Sequence, residues 1–174
     1  MNDETTPFLP SLTLILGGQR SGKSAYAESL IGESRKAIYL ATGQAIDLEM
    51  SARITAHRAR RGNNWSTLEE SLDLAGALKG ISQPVLIDSM AMWVANLLLA
   101  GRDVEPETLG LVQALESIKS EVVIVSDEVG LGIIPENPLA RTFIDALGLA
   151  NQKIAARAER VVIITAGLAQ VLKG

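Results

Sequence analysis

Residues 17–24 read Gly-Gly-Gln-Arg-Ser-Gly-Lys-Ser, directly after the apolar run Leu-Thr-Leu-Ile-Leu at 12–16. Glycine, four residues, then Gly-Lys-Ser, between a strand and a helix, is the spacing of a phosphate-binding loop, the P-loop. The backbone N–H groups of Gly17, Gly18, Gln19, Arg20, Ser21 and Gly22 can turn inward around phosphate oxygens, because glycine tolerates the required dihedrals. The helix opening at the end of the loop adds its positive N-terminal end. Lys23 then reaches the β and γ phosphates, and the Ser24 hydroxyl ligates Mg²⁺. A glycine-rich turn that binds nothing has no use for the lysine, the hydroxyl and both flanking elements together. This one feature commits the chain to an α/β fold built around a nucleotide.

The remaining pattern agrees. Short apolar, β-branched runs occur at 12–16, 37–41, 85–87, 122–125 and 161–164. None alternates with polar residues, as expected for strands buried on both faces. Between them lie stretches with helical spacing. The clearest starts at Leu139 and continues through Phe143, Ala146, Leu147, Ala150, Ile154, Ala155 and Ala158. Met90–Leu99 also reads as a helix, and Pro106 marks the opening of another. Strands alternating with helices imply a mostly parallel sheet with helices on both faces, in one domain over residues 12–174 behind a loose tail at 1–11. Ligands of such sheets sit beyond the carboxyl ends of the strands.

Composition narrows the chemistry. Sixteen basic against 20 acidic residues leave a net charge of −4, which argues against nucleic-acid binding through bulk electrostatics. The chain has no cysteine and one histidine, so thiolate zinc sites, cysteine nucleophiles and multi-histidine metal sites are excluded. No apolar run approaches the roughly 20 residues of a membrane span. The first ten residues carry Asp3 and Glu4 and no basic residue, unlike a signal peptide. The expected location is cytoplasmic.

A P-loop also calls for an acid to assist Mg²⁺, commonly at the end of a neighbouring strand. Asp88 follows Val85-Leu86-Ile87, and Asp127-Glu128 follow the run at 122–126. Asp88 is the cleaner match to an apolar run ending in an acid. Helix capping competes for the same residue, since Asp is a good N-cap and a helix follows.

The one histidine lies in a basic segment, where Arg53, His57 and Arg60 or Arg61 recur at helical spacing. Spacing alone reads more readily as a solvated helix face. The sharper reading is a neutral imidazole flanked by guanidiniums, a nucleophile beside groups suited to polyphosphate.

At this point a specific resemblance emerges. The phosphate loop is followed by Tyr39-Leu40-Ala41-Thr42-Gly43-Gln44, then by Glu49-Met50, Arg53-Ile54, His57-Arg58, Arg61 and Trp65. Further on stand Asn96-Leu97-Leu98, the stretch from Glu128 through Gly130, Gly132, Ile133 and Pro135 to Asn137, then Leu139-Ala140-Arg141 and Asn151-Gln152. Together these resemble the bifunctional adenosylcobinamide kinase / adenosylcobinamide-phosphate guanylyltransferase family, from about residue 12 to residue 173.

The resemblance implies a RecA-like P-loop sheet, assembled as a homotrimer, acting late in cobalamin biosynthesis on small molecules. It implies phosphorylation of the aminopropanol hydroxyl of adenosylcobinamide from ATP or GTP. It further implies transfer of GMP from GTP, through a guanylylated histidine, to give adenosylcobinamide-GDP. His57 matches that histidine, with Lys23 the other catalytic residue. Arg58 and Arg61 become candidates to hold the incoming anion. Thr42, Gly43, Gln44 and Glu69 carry over as nucleotide contacts, and the position of Asp88 is acidic in the family. Where the family commonly has Asn before Glu-Val-Gly, this chain has Asp127, which adds a carboxylate near the second strand-end site.

Two other classes compete on fold alone, because P-loop folds host them as well. One is a small-molecule kinase that never uses His57. The other is a nucleotide-dependent switch that transfers nothing. The histidine segment and the Gly-x-Gly-Ile-x-Pro stretch, read through the family, favour the bifunctional enzyme.

Overall fold

The structure is a computed structural model that describes residues 9–32, 35–43, 62 and 64–174. In chain order the elements are β1 (Leu12–Gly17), α1 (Lys23–Ile31), β2 (Ala37–Ala41), β3 (Trp65–Glu69), α2 (Leu74–Ala77), β4 (Val85–Asp88) and α3 (Met90–Leu99). They continue with α4 (Val104–Ser117), β5 (Val122–Asp127), α5 (Pro138–Arg157), β6 (Arg160–Thr165) and β7 (Leu168–Lys173). One seven-stranded sheet results, in the order β3-β2-β4-β5-β1-β6-β7. Every pairing is parallel except β6 with β7.

The non-alternating runs have the expected cause. Leu14, Leu16, Leu40, Ile87 and Ile124 face one layer, which holds Trp93, Leu97, Leu111, Leu147 and Ile154 from α3, α4 and α5. Ile15, Tyr39, Leu86, Val123, Val125 and Val162 face the other, with Ala27 and Ile31 of α1. Leu9, just ahead of β1, is buried in this second layer. A strand with helices on both faces has no solvent side, so its polar positions vanish. The stripe expected along α5 begins at Leu139, which is 58% exposed because the first turn of α5 extends past the sheet, and packs from Phe143 onward, with Leu147, Ala150 and Ile154 fully buried. Asn151 joins them as a buried polar residue.

Two strands carry no such signal. In β3, Trp65 is half-buried and the other four residues are exposed, because β3 is the sheet edge. All six residues of β7 are exposed. What forms β7 is its turn: Ala166 and Gly167 have φ of 51° and 80°, the left-handed pair that reverses a two-residue hairpin.

Parallel pairing has one consequence for chemistry. The carboxyl ends of β1, β5, β4, β2 and β3 lie on one edge of the sheet, so Gly17 pairs with Asp127 and Ala41 pairs with both Asp88 and Glu69.

Candidate active site

The loop after β1 is shaped by two glycines. Gly17 has φ +155°, and a Cβ there would lie 2.5 Å from the Ile164 carbonyl oxygen and 2.7 Å from Ser21 Oγ. Gly22 has φ +102° and occupies the N-cap of α1. Having no side chain, it leaves the first turn of α1 without a side-chain cap, whereas the other described helices are capped by Asp73, Ser89, Asp103 and Asn137. The first-turn N–H groups of α1 therefore have no side-chain acceptor and suit an anion. Ser21 Oγ is buried inside the loop without a hydrogen-bond partner.

Gly17→Ala should show how tightly the loop is fitted. The clash is with backbone of β6, the strand paired to Gly17 itself, so neither side can move freely. The expected cost is about 3 kcal/mol, or a fall in Tm of roughly 6–12 °C, with nucleotide affinity lost. A melting curve within a degree of wild type would contradict this account.

Lys23, the first residue of α1, is held from two sides. Its Nζ donates to the Gly18 carbonyl at 2.6 Å and forms an ion pair with Asp127 Oδ1 at 2.7 Å. The lysine side chain is 8% exposed and that of Asp127 24%. Asn151 in turn fixes the end of β5, accepting from Ser126 Oγ at 2.6 Å and donating to the Asp127 carbonyl at 3.1 Å. The β6–β7 turn braces the loop from behind, where Gly167 N–H donates to the Ser21 carbonyl at 2.9 Å.

Asp88 closes β4, where Oδ2 accepts from Tyr39 Oη at 2.8 Å. The Tyr39 ring meets Trp65 edge to face, with centroids 6.3 Å apart. The capping reading of Asp88 goes to its neighbour, since Ser89 is the N-cap of α3 and accepts from Met92 N–H. Thr42 is fully buried and ties two strand ends together. Its hydroxyl donates to the Ser89 carbonyl and accepts from the Ser89 N–H, each at 2.8 Å. Asn96 secures the same corner from α3, donating to the carbonyls of Thr42 and Ser71. Gly43 follows with open space around it, and Glu69 is exposed at the end of β3. Trp93 belongs to the core, fully buried and donating from Nε1 to the Leu72 carbonyl at 2.8 Å.

One sheet edge thus gathers Gly17, Gly18, Gln19, Arg20, Ser21, Gly22, Lys23 and Ser24 with Thr42, Gly43, Glu69, Asp88 and Asp127. Gln44, His57, Arg58 and Arg61 lie outside the described residues. Sequence reasoning missed Asn151 and Gly167 as supports of the loop. Asn151 interrupts an otherwise apolar helix face, and that is the signal it left. Gly167 left only a glycine ahead of a short apolar segment.

No cluster of three or more His, Cys, Asp or Glu that could hold a metal ion occurs among the described residues. A P-loop cation does not need one, because phosphate oxygens and water fill most of its shell. The half-buried Ser24 at the second position of α1, with the carboxylates at the ends of β4 and β5, is a donor set that fits Mg²⁺ in that role.

Comparison with known proteins adds the family. A family model described as cobinamide kinase / cobinamide phosphate guanyltransferase matches residues 13–172. The bifunctional adenosylcobalamin biosynthesis protein CobP of Pseudomonas aeruginosa is 44% identical over 167 residues, spanning 92% of this chain and 96% of that protein. The corresponding CobU of Escherichia coli is 38% identical over 180 aligned residues, spanning 93% of this chain and 99% of its own length. Among solved structures, a KaiC-like protein of Pyrococcus horikoshii superposes with a TM-score of 0.51 at 11% identity, covering 89% of this chain and 71% of that one. That likeness concerns the fold, which is of the RecA-like P-loop type. No described helix is long and apolar enough to cross a membrane.

Proposed function

The chain belongs to the cobinamide kinase / cobinamide phosphate guanyltransferase family, and on that premise we propose a two-step reaction at the sheet edge. In the first step the aminopropanol hydroxyl oxygen of adenosylcobinamide forms a bond to the γ phosphorus of ATP or GTP while the bond from that phosphorus to the β,γ-bridging oxygen breaks. ADP or GDP leaves and the hydroxyl proton passes to water. In the second, GMP passes from GTP through His57 to the new phosphate, giving adenosylcobinamide-GDP and pyrophosphate. The observation that carries the nucleotide half is the loop itself. Gly17 and Gly22 adopt backbone conformations foreign to other residues, α1 starts without a side-chain cap, and Lys23 stands at its head.

Residues 17–22 bind the triphosphate through their N–H groups. Lys23 and Arg20 spread the charge that develops on the transferring group, the largest contribution to catalysis in phosphoryl transfer. Ser24 and Asp88 would hold Mg²⁺, which would supply positive charge to offset the negative charge of the triphosphate. In the transferase step one imidazole nitrogen of His57 forms a bond to the α phosphorus while the bond to pyrophosphate breaks. The phosphate oxygen of the corrinoid then attacks that phosphorus, and the P–N bond breaks in turn. Arg58 and Arg61 hold the incoming anion through charge-assisted hydrogen bonds. Gln44 joins Gly43 and Glu69 as nucleotide contacts, with Glu69 accepting from the guanine N1–H and exocyclic amine. Thr42, fully buried with its hydroxyl engaged by Ser89, holds that strand end in place instead of touching the nucleotide.

A corrinoid is broad and needs apolar surface. The loop between β5 and α5 offers it: Leu131, Ile133 and Ile134 are 86, 97 and 78% exposed. In a homotrimer the corrinoid would lie partly at a subunit interface. The first test is intact-protein mass after incubation with GTP and Mg²⁺, without corrinoid. A gain of one GMP, labile to acid, is the expected result. A folded, GTP-binding protein with no adduct would remove the covalent transferase and leave a simple kinase.

A further inference from the structure

We propose that Asp127 is a positioning residue that latches Lys23 and competes with the nucleotide for it. The proposal rests on the reading of residues 17–24 as a nucleotide site. Lys23 is almost wholly buried, and a buried ammonium needs an anionic partner. The Gly18 carbonyl contributes a dipole, and Asp127 contributes the charge.

The carboxylate is set there by main chain. Asp127 is the register partner of Gly17, the Glu128 N–H donates to the Gly17 carbonyl at 3.0 Å, and Asn151 grips the Asp127 carbonyl. The two partners differ in exposure. Asp127 is open enough to rehydrate when released, whereas Lys23 must always have an anion beside it. An entering phosphate is that second anion. It gains the lysine only as Asp127 gives it up, so the ion pair keeps the loop preorganised and weakens nucleotide binding by the same interaction.

If the latched form dominates by about ten to one, the apparent Kd is raised about tenfold. Asp127→Asn keeps the shape and one acceptor and removes the charge. Measured with GTP in EDTA, where no cation intervenes, the variant should bind about tenfold more tightly than wild type. The ligand-free variant should melt about 2–4 °C lower. A residue of merely structural importance would not raise affinity while lowering stability. Glu128→Gln serves as the control for general repulsion, because the Glu128 carboxylate accepts from the Gly130 N–H instead of pairing with Lys23. Asp127→Ser provides the same test should the asparagine variant not fold.

Unchanged or weaker GTP binding by both Asp127 variants would overturn the latch, as would an equal gain in Glu128→Gln. Wild-type protein that binds no GTP would instead overturn the loop reading, and the latch with it.

Discussion

Lys23→Ala is expected to lower kcat/KM for phosphorylation by about 10³-fold. The magnitude follows from position. Lys23 opens α1 at the end of a loop whose Gly17 and Gly22 take dihedrals that favour glycine, and it is buried at the head of that helix. In phosphoryl transfer there is little covalent work for a protein to do, so positioning and charge stabilisation dominate. Removing the ammonium also leaves Asp127 facing the phosphates without a counter-charge. Both kcat and KM should suffer, because in the proposed reaction the lysine meets the β and γ phosphates before and during transfer. Steady-state transfer from labelled ATP measures it, with the circular dichroism of the variant as a check on folding. A loss below tenfold would remove Lys23 from the chemistry.

The second large effect should divide the two activities. His57→Ala is expected to abolish the GMP adduct and reduce guanylyl transfer by at least about 10⁴-fold, as loss of a covalent nucleophile does. Phosphorylation should stay within roughly threefold of wild type, because that step draws on the loop and not on the imidazole. The chain has one histidine, so no second imidazole can substitute. Parallel assays of corrinoid phosphorylation and of pyrophosphate release from GTP read the two steps separately. Loss of both activities in a folded variant would make His57 part of the nucleotide site; loss of neither would exclude it as nucleophile.

How far the sequence could be read differs from element to element. Buried parallel strands were legible wherever apolar residues ran unbroken, as at 85–87 and 122–125. The edge strands β3 and β7 were not, because exposed positions obey no core pattern. Asp88 was visible as an acid after an apolar run, but its hydrogen bond to Tyr39 was not, since that depends on β2 lying beside β4.

What the sequence determined by itself is the phosphate loop. Its demands are local: dihedrals open to glycine at 17 and 22, a strand before, a helix after, and a lysine at the head of that helix. Such requirements are met within eight residues and can be read there. What only the tertiary structure decided is who stands around that loop. Asp127 reaches Lys23 because β5 lies next to β1 in register, Asn151 reaches the Asp127 carbonyl because α5 covers that strand end, and Gly167 reaches the Ser21 carbonyl because β6 flanks the other side. Strand order follows from how all the helices share two faces of one sheet, a global packing outcome that no local stretch of residues encodes.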